Sequence, residues 1–412
     1  MRRLALILAA AAAAATPAPA LAAEDHPRLE RELRSLARGL GPQSGVLVLD
    51  ATDRDVLFRH REGRRRIIAS NAKLWTTAAL LARLGPAGSF ETSVVGTGEK
   101  LADGSWDGNL YLVGGGDPAF GDRSGFGRSL GSPATVEALA EMLEEAAGIV
   151  SVTGAVMGDE SRFDSHRGGP SSGFGPSPDH NPLSALAFNG SSSLGGVSPP
   201  VRAARALDSA LERLGVRVRG RARASRAPSG ATVLATVRSL PVARLIRTTN
   251  KHSSNFFAEM LLKGLSAADG DQGTTSDGAA EARRFVRLLG ARPLIADGSG
   301  LSRSNLATPR DLVELLDEMR DRPEFREFYA SLSIAGVDGT LALGGHRGLR
   351  RGSARRRCRG KTGTLRDVSA LSGYCRTRSG DTIVFSILSN RVSPDSAKRV
   401  EDRMLQAIAR YG

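Results

Sequence analysis

The chain has 412 residues, 41% of them hydrophobic and 5% aromatic, with a formal net charge of +14. That length allows two or three domains with a large core, and the ordinary apolar content excludes both global disorder and a bundle of membrane helices. The excess of arginine suits a polyanionic partner, although a genome that writes arginine freely gives the same balance.

Arg2 and Arg3 precede an apolar run from Leu4 to Ala15, and Ala20-Leu21-Ala22 offers small residues at a cleavage spacing. This is the order of a secretory signal peptide, residues 1–22, and the run is too short to span a bilayer comfortably. The mature protein is therefore expected to be soluble and exported, in the periplasm or cell envelope. Export argues against nucleic acid as partner. So do the basic runs Arg64-Arg65-Arg66 and Arg355-Arg356-Arg357, which lack the interleaved aromatics of a single-strand platform. A weak bias towards a membrane surface or an anionic wall polymer remains.

Residues 26–40 carry helical periodicity, and Gly45–Asp50 and Val56–Arg59 read as strands around a turn. The spacing of Leu74, Thr77, Ala78 and Leu81 predicts a helix from Ser70 to Leu84, stopped by Gly85-Pro86. From Gly88 to about Leu240 short apolar runs alternate with Gly, Ser and Pro clusters, and helices interrupt them near 134–147 and 200–214. Helices return over 241–249, 255–265, 278–289 and 309–319. Antiparallel strands follow over 358–390, and an amphipathic helix over 395–410 closes the chain. The pattern predicts an α+β protein in which residues 23–86 and 241–412 form one discontinuous domain and 87–240 an insertion.

The chain has two cysteines, Cys358 and Cys375. Strands over 356–364 and 368–377 flank Leu365-Arg366-Asp367, and a hairpin centred between Arg366 and Asp367 sets the two cysteines directly opposite each other, close enough to bridge in an oxidising compartment if the pair is non-hydrogen-bonded. Two free buried thiols are the alternative.

Three short motifs carry chemistry: Ser70-Asn71-Ala72-Lys73, Ser253-Ser254-Asn255 and Lys361-Thr362-Gly363. They occur once each, in the chain order typical of β-lactamases and penicillin-binding proteins. A serine hydroxyl is a poor nucleophile until a base takes its proton, and Lys73 lies one helical turn beyond Ser70. Lysine serves as a base only if burial or nearby positive charge lowers its pKa; Lys361 could supply that charge and also bind a carboxylate. Ser253 and Asn255 can relay protons and hold an amide, while Thr362 and Thr364 offer hydroxyl and backbone donors. The amides of Ser70 and Thr364 would form an oxyanion hole. Each motif alone is usually plain surface. Yet the chain has six lysines among 57 basic residues, so it writes arginine where charge alone suffices. At position 73 arginine would fail, because it does not deprotonate in a protein.

The chain resembles the class C low-molecular-mass penicillin-binding proteins, the D-alanyl-D-alanine carboxypeptidase/endopeptidase family, over nearly its whole mature length. Beyond the three motifs the resemblance is carried by Gly114-Gly115-Gly116-Asp117-Pro118, Asp159-Glu160-Ser161-Arg162-Phe163-Asp164 and Pro182–Leu186. Asp297–Arg303 and Ala335–Leu341 match as well. The resemblance implies an α/β (α+β, multi-domain) penicillin-recognising transpeptidase or β-lactamase-like fold with an inserted second domain. It implies Ser70 as acylated nucleophile and Lys73 as general base, with Ser253, Asn255, Lys361, Thr362 and Thr364 completing the site. Arg303 and Arg366 become candidates for reading a diaminopimelyl side chain, and Asp117 for a substrate contact; a solvated surface arginine is the plain alternative for the first two. Peptidoglycan peptides and β-lactams are the implied partners, and no cofactor or metal is implied. Many members insert a third domain after the stretch resembling Ala187-Phe188-Asn189-Gly190; here the chain runs almost directly into the helix near 200, so that domain is expected to be missing.

Gly127-Arg128-Ser129-Leu130-Gly131 fits the pattern of a nucleophile elbow, but turn-like residues precede it where a strand is required. The histidines at 26, 60, 166, 180, 252 and 346 form no zinc-peptidase motif. A non-enzymatic wall-binding or penicillin-sensing protein on the same scaffold and a β-lactamase stand as rivals; the intact Ser/Lys/Ser/Asn/Lys set weighs against the first and the additional family segments against the second.

Overall fold

The structure is a computed structural model that describes residues 20–192, 196–342 and 348–412, with side chains described from residue 26. The signal peptide expected over residues 1–22 lies outside the described residues except for its last three, which begin a helix, and His346 lies outside them too.

Three stretches of chain build the molecule. The first holds α1 (Ala20–Ala37), β1 (Ser44–Asp50), β2 (Asp55–His60), the short β3 (Arg66–Ile67) and α2 (Lys73–Leu84). The second holds β4 (Glu91–Lys100), β5 (Ser105–Val113), α3 (Phe126–Leu130), α4 (Val136–Glu141), β6 (Ser151–Val152), β7 (Val156–Asp159), α5 (Pro199–Arg213), β8 (Arg217–Val218), β9 (Arg223–Ala224) and β10 (Thr232–Arg238). The third begins with α6 (Val242–Lys251), α7 (Asn255–Ser266), α8 (Thr275–Leu288), β11 (Leu306–Ala307), α9 (Pro309–Arg320) and α10 (Phe325–Ser331). It ends with β12 (Ser333–Ile334), β13 (Cys358–Leu365), β14 (Val368–Arg376), β15 (Thr382–Asn390) and α11 (Pro394–Ile408).

The first and third stretches share one antiparallel sheet in the order β12-β13-β14-β15-β1-β2. Its central strands are covered on both faces, which is why β15 reads as the nearly unbroken apolar run Ile383–Leu388. Successive side chains of a strand point to opposite faces. Ile383, Phe385 and Ile387 accordingly pack with Leu33 of α1 and Met404, Leu405 and Ile408 of α11. Val384 and Leu388 face the other way, into a core with Leu74, Trp75 and Leu81 of α2 and Leu245 and Ile246 of α6. The helix α2 is buried along most of its length and ends where Gly85, at φ 70°, returns its amide to Leu81 O at 2.9 Å. Truncating one of its buried leucines to alanine would cost about 2–5 kcal/mol.

The second stretch has its own sheet, in which β4 pairs with β10 and β5, and β6 and β7 run parallel to β5. Its core joins Val94, Leu110 and Leu112 to Leu139 of α4 and Leu207 and Leu211 of α5.

Three local expectations need correction. The helix expected from Ser70 begins as a 3-10 turn, Ala69–Ala72, and turns α-helical only at Lys73. There β13 presses on the chain: a Cβ on Gly363 would stand 2.7 Å from Ile68 O and 3.0 Å from Ser70 N. The turn-like residues expected before Ser129 run into the single-turn helix α3, which begins at Phe126, and Ser129 Oγ donates to Phe126 O at 2.7 Å within it. The helix α10 was not expected; Phe325 and Tyr329 lie one turn apart on it and pack their rings against Tyr374 of β14.

Candidate active site

Ser70 sits in the 3-10 turn directly before α2, and the residue preceding it, Ala69, is held at φ 46°. Ser253, between α6 and α7, has φ 53°. Positive φ is uncommon outside glycine, and such strained backbone collects at functional sites. The Ser70 turn is also closely backed by the 297–302 loop. Gly300 has φ 85°, and a Cβ on it would lie 1.9 Å from Ala69 O.

One turn beyond Ser70, Lys73 is fully buried. Its Nζ donates to Ser70 Oγ at 3.0 Å, to Asn255 Oδ1 at 2.8 Å and to Ser299 O at 2.6 Å. Lys361, on β13, is also fully buried, and its Nζ donates to Ser253 Oγ and to Thr362 O, both at 2.8 Å. Thr362 Oγ1 donates to Thr340 Oγ1 at 2.7 Å. Asn255 Nδ2 donates to Asp179 O at 3.2 Å, tying the helix start to a loop of the second stretch. Ser254 caps α7, its hydroxyl accepting from the Phe257 amide at 3.3 Å. A cleft of about 540 Å³ opens between residues 176–182 and Ser254, Asn255 and Phe256.

Burial pushes Lys73 down to about 7, against the pull of the Glu259 and Asp297 carboxylates towards its charged form. Burial, and then the charge on Lys73, push Lys361 well below the ordinary lysine value. The site therefore holds a lysine able to lose its proton near neutrality beside a serine hydroxyl, which is the arrangement a serine nucleophile needs.

Six of the seven residues expected to form the site are linked: Lys73 bonds Ser70 and Asn255, Lys361 bonds Ser253 and the Thr362 carbonyl, and the charge on Lys73 acts on Lys361. The seventh, Thr364, is exposed on β13 next to Gly363, which presses on the Ser70 amide. The three substrate-contact candidates differ. Arg303 makes a two-pronged ion pair with Asp367 at 2.8 and 3.1 Å, tying the 297–303 loop to the β13–β14 turn, and Arg366 lies exposed in that turn. Asp117 is not brought to these groups: it is 1% exposed and accepts from the Ala119 amide at 2.7 Å. Cys358 and Cys375 form a disulfide across β13 and β14, at directly opposed positions of the ladder. Sequence reading had assigned no role to Glu259, Asp297, Thr340 or the Ser299 and Asp179 carbonyls. Glu259 had one available signal, since it lies four residues after Asn255 and so on the same helix face. Among the described residues no group of three or more His, Cys, Asp or Glu side chains is arranged to hold a metal ion, and no helix is long and apolar enough to cross a membrane.

A sequence model of the D-Ala-D-Ala carboxypeptidase 3 (S13) family matches residues 29–189 and 191–411. A D-alanyl-D-alanine carboxypeptidase from an Actinomadura species is 29% identical, over 90% of this chain and 82% of that protein. A carboxypeptidase of Mycobacterium tuberculosis is 28% identical, over 88% of this chain and 79% of that protein. Among solved structures, penicillin binding protein 4 of Haemophilus influenzae superposes with a TM-score of 0.75 at 20% identity, over 91% of this chain and 99% of that one. At that identity the superposition speaks for the fold, an α/β architecture of penicillin-recognising type with more than one domain.

Proposed function

The chain belongs to the D-Ala-D-Ala carboxypeptidase 3 (S13) family, and from that premise we propose that Ser70 is the nucleophile of a serine-type peptidase acting on D-alanyl-D-alanine bonds of cell-wall peptides. The observation that carries the reading is the buried Lys73 ammonium, shared between Ser70 Oγ and Asn255 Oδ1 at 3.0 and 2.8 Å.

In this scheme neutral Lys73 takes the Ser70 proton as Oγ bonds to the penultimate D-alanyl carbonyl carbon. The oxyanion lies between the amides of Ser70 and Thr364, and preorganised donors of this kind are worth about 3–4 kcal/mol each. Lys361 and Thr362 hold the terminal carboxylate. The C–N bond breaks as the amine takes a proton, relayed through Ser253 from Lys73. Water then bonds to the acyl carbon, the ester bond to Ser70 Oγ breaks, and the proton returns to the serine. Release of a free D-alanine is carboxypeptidation; release of a cross-linking amine is endopeptidation. A β-lactam enters the same first step and stays as the acyl group.

Export by a leader over residues 1–22, residence in the cell envelope, and a division into a catalytic unit (23–86 and 241–412) with an inserted unit (87–240) belong to the same proposal. The core around Val94, Leu112 and Leu207, drawn wholly from the inserted stretch, supports the division, while Phe90, Phe163 and Leu183 of that stretch pack into the core around α2 and join the two units. To test the activity, the purified protein is incubated with pentapeptide stems and with cross-linked dimers, and the products are read by mass spectrometry. Loss of one D-alanine or of the cross-link, absent in Ser70→Ala, is the expected result. Intact substrates, with Ser70 still acylated by penicillin, would overturn the assignment to D-alanyl bonds.

A further inference from the structure

Behind Lys73 lie two buried carboxylates that the acylation scheme leaves unused. Glu259, on α7, is 1% exposed; its Oε1 accepts from the Ser299 amide at 2.8 Å and its Oε2 from the Gly298 amide at 3.3 Å. Asp297 is fully buried and accepts from the amides of Gly300 and Ser302, both at 2.7 Å, and from Asn305 Nδ2 at 2.8 Å. The amides of the turn thus point at carboxylates, while its carbonyls point at α2. Gly298 O accepts from Thr76 Oγ1 at 3.1 Å, and Ser299 O accepts from Lys73 Nζ at 2.6 Å.

We infer that Glu259 and Asp297 are positioning residues for the base: they clamp the 298–302 turn so that the Ser299 carbonyl holds Lys73 against Ser70, and their negative charge sets the pH at which Lys73 yields its proton. The inference rests on the reading of Lys73 as base. The ionisable groups facing Lys73 are Glu259 from α7, Asp297 from the loop and Lys361 from β13; Ser70 and Asn255 face it as neutral partners. Negative charge favours the ammonium, so the pair opposes burial and keeps Lys73 a stronger base than an isolated buried lysine. Burial first, and then the charge on Asp297, push the Glu259 carboxyl itself well above the usual carboxylate range. As pH rises, the charge appearing on Glu259 holds the Lys73 proton more firmly. The loss of that proton is therefore spread over a wider pH range than a single ionisation.

The experiment measures the second-order rate of acylation by a fluorescent penicillin across the neutral pH range, in wild type, Glu259→Gln, Glu259→Asp and Lys73→Ala. Glu259→Gln is expected to move the acid limb to lower pH by about one unit and to narrow it to a single ionisation. Glu259→Asp, which keeps the charge and disturbs only the clamp, is expected to lower the rate while leaving the limb at its wild-type pH. An unmoved limb in Glu259→Gln, with Ser70 labelled, overturns the inference and leaves the base assignment standing. Wild-type rates in Lys73→Ala at every pH would instead overturn the base assignment. Should Glu259→Gln fail to fold, the wild-type limb decides: a limb broader than one ionisation supports the inference, and a limb of unit slope overturns it.

Discussion

Lys73 reaches Ser70 Oγ at 3.0 Å from a position with no solvent exposure. That pairing brings the proton donor and acceptor within transfer distance and removes the water that would keep lysine charged.

A first prediction follows from the pKa of that lysine. In the proposed role Lys73 must be neutral to act, and burial pushes it down to about 7, so acylation is expected to rise with pH through neutrality and to level off above it. Lys73→Arg keeps the charge but removes the titration. Its acylation rate is expected to fall by about 10²–10⁴ with no recovery at high pH. A rate within tenfold of wild type in stopped-flow acylation would contradict the role.

The disulfide closes a loop with a sequence separation of 17 between Cys358 and Cys375 on the hairpin that carries Lys361 and Thr362. Replacing both cysteines by alanine should lower unfolding stability by about 2–4 kcal/mol. Denaturant unfolding of the double variant, or of wild type under reductant, checks this; an unchanged midpoint would count against it.

Asp117 gives a stability prediction with a definite sign. Burial raises its carboxyl to about 7, and Oδ2 has no hydrogen-bond partner among the described residues. The folded state therefore holds a proton that the unfolded chain releases at lower pH. The stability so gained is present below the unfolded value and is lost as pH rises through about 7. Asp117→Asn should melt above wild type at alkaline pH, with the gap closing on acidification, and penicillin labelling should be unchanged. Loss of labelling in a folded variant would restore Asp117 as a substrate contact.

Arg303 and Arg366 separate the rim from the chemistry. The Arg303–Asp367 pair is exposed, so Arg303→Ala should cost less than about 1 kcal/mol of stability. If either arginine reads a stem-peptide side chain, Arg303→Ala or Arg366→Ala raises KM for diaminopimelyl peptides while the penicillin acylation rate stays as in wild type. Equal losses with both ligands would mean that the substitution disturbs β13 instead.

Much of the site was legible because its chemistry is local in sequence. Ser70 and Lys73 share a helical face, and Lys361, Thr362 and Thr364 share a strand. The scarcity of lysine sharpened this: Lys73, Lys251, Lys263 and Lys361 are all buried, each at a place where the chain did not write arginine. The hairpin register, with Cys358 opposite Cys375, could be read from the turn alone because the centre of a tight turn fixes which residues of the two strands face each other. Long-range placement was not legible. Nothing near Asp297 in sequence announces that its loop turns its amides inward and offers the Ser299 carbonyl to a lysine more than two hundred residues away. The 3-10 turn at Ala69–Ala72 escaped for the same reason, since the helical spacing of α2 is unbroken and the pressure comes from β13.

The central claim is that Ser70 is acylated, and the most direct measurement is labelling of the purified protein with a fluorescent penicillin, beside Ser70→Ala, with the modified peptide located by mass spectrometry. The account predicts stable label on Ser70 in wild type and none in the variant. Unlabelled wild type that also leaves the penicillin intact, or label persisting in Ser70→Ala, would contradict it.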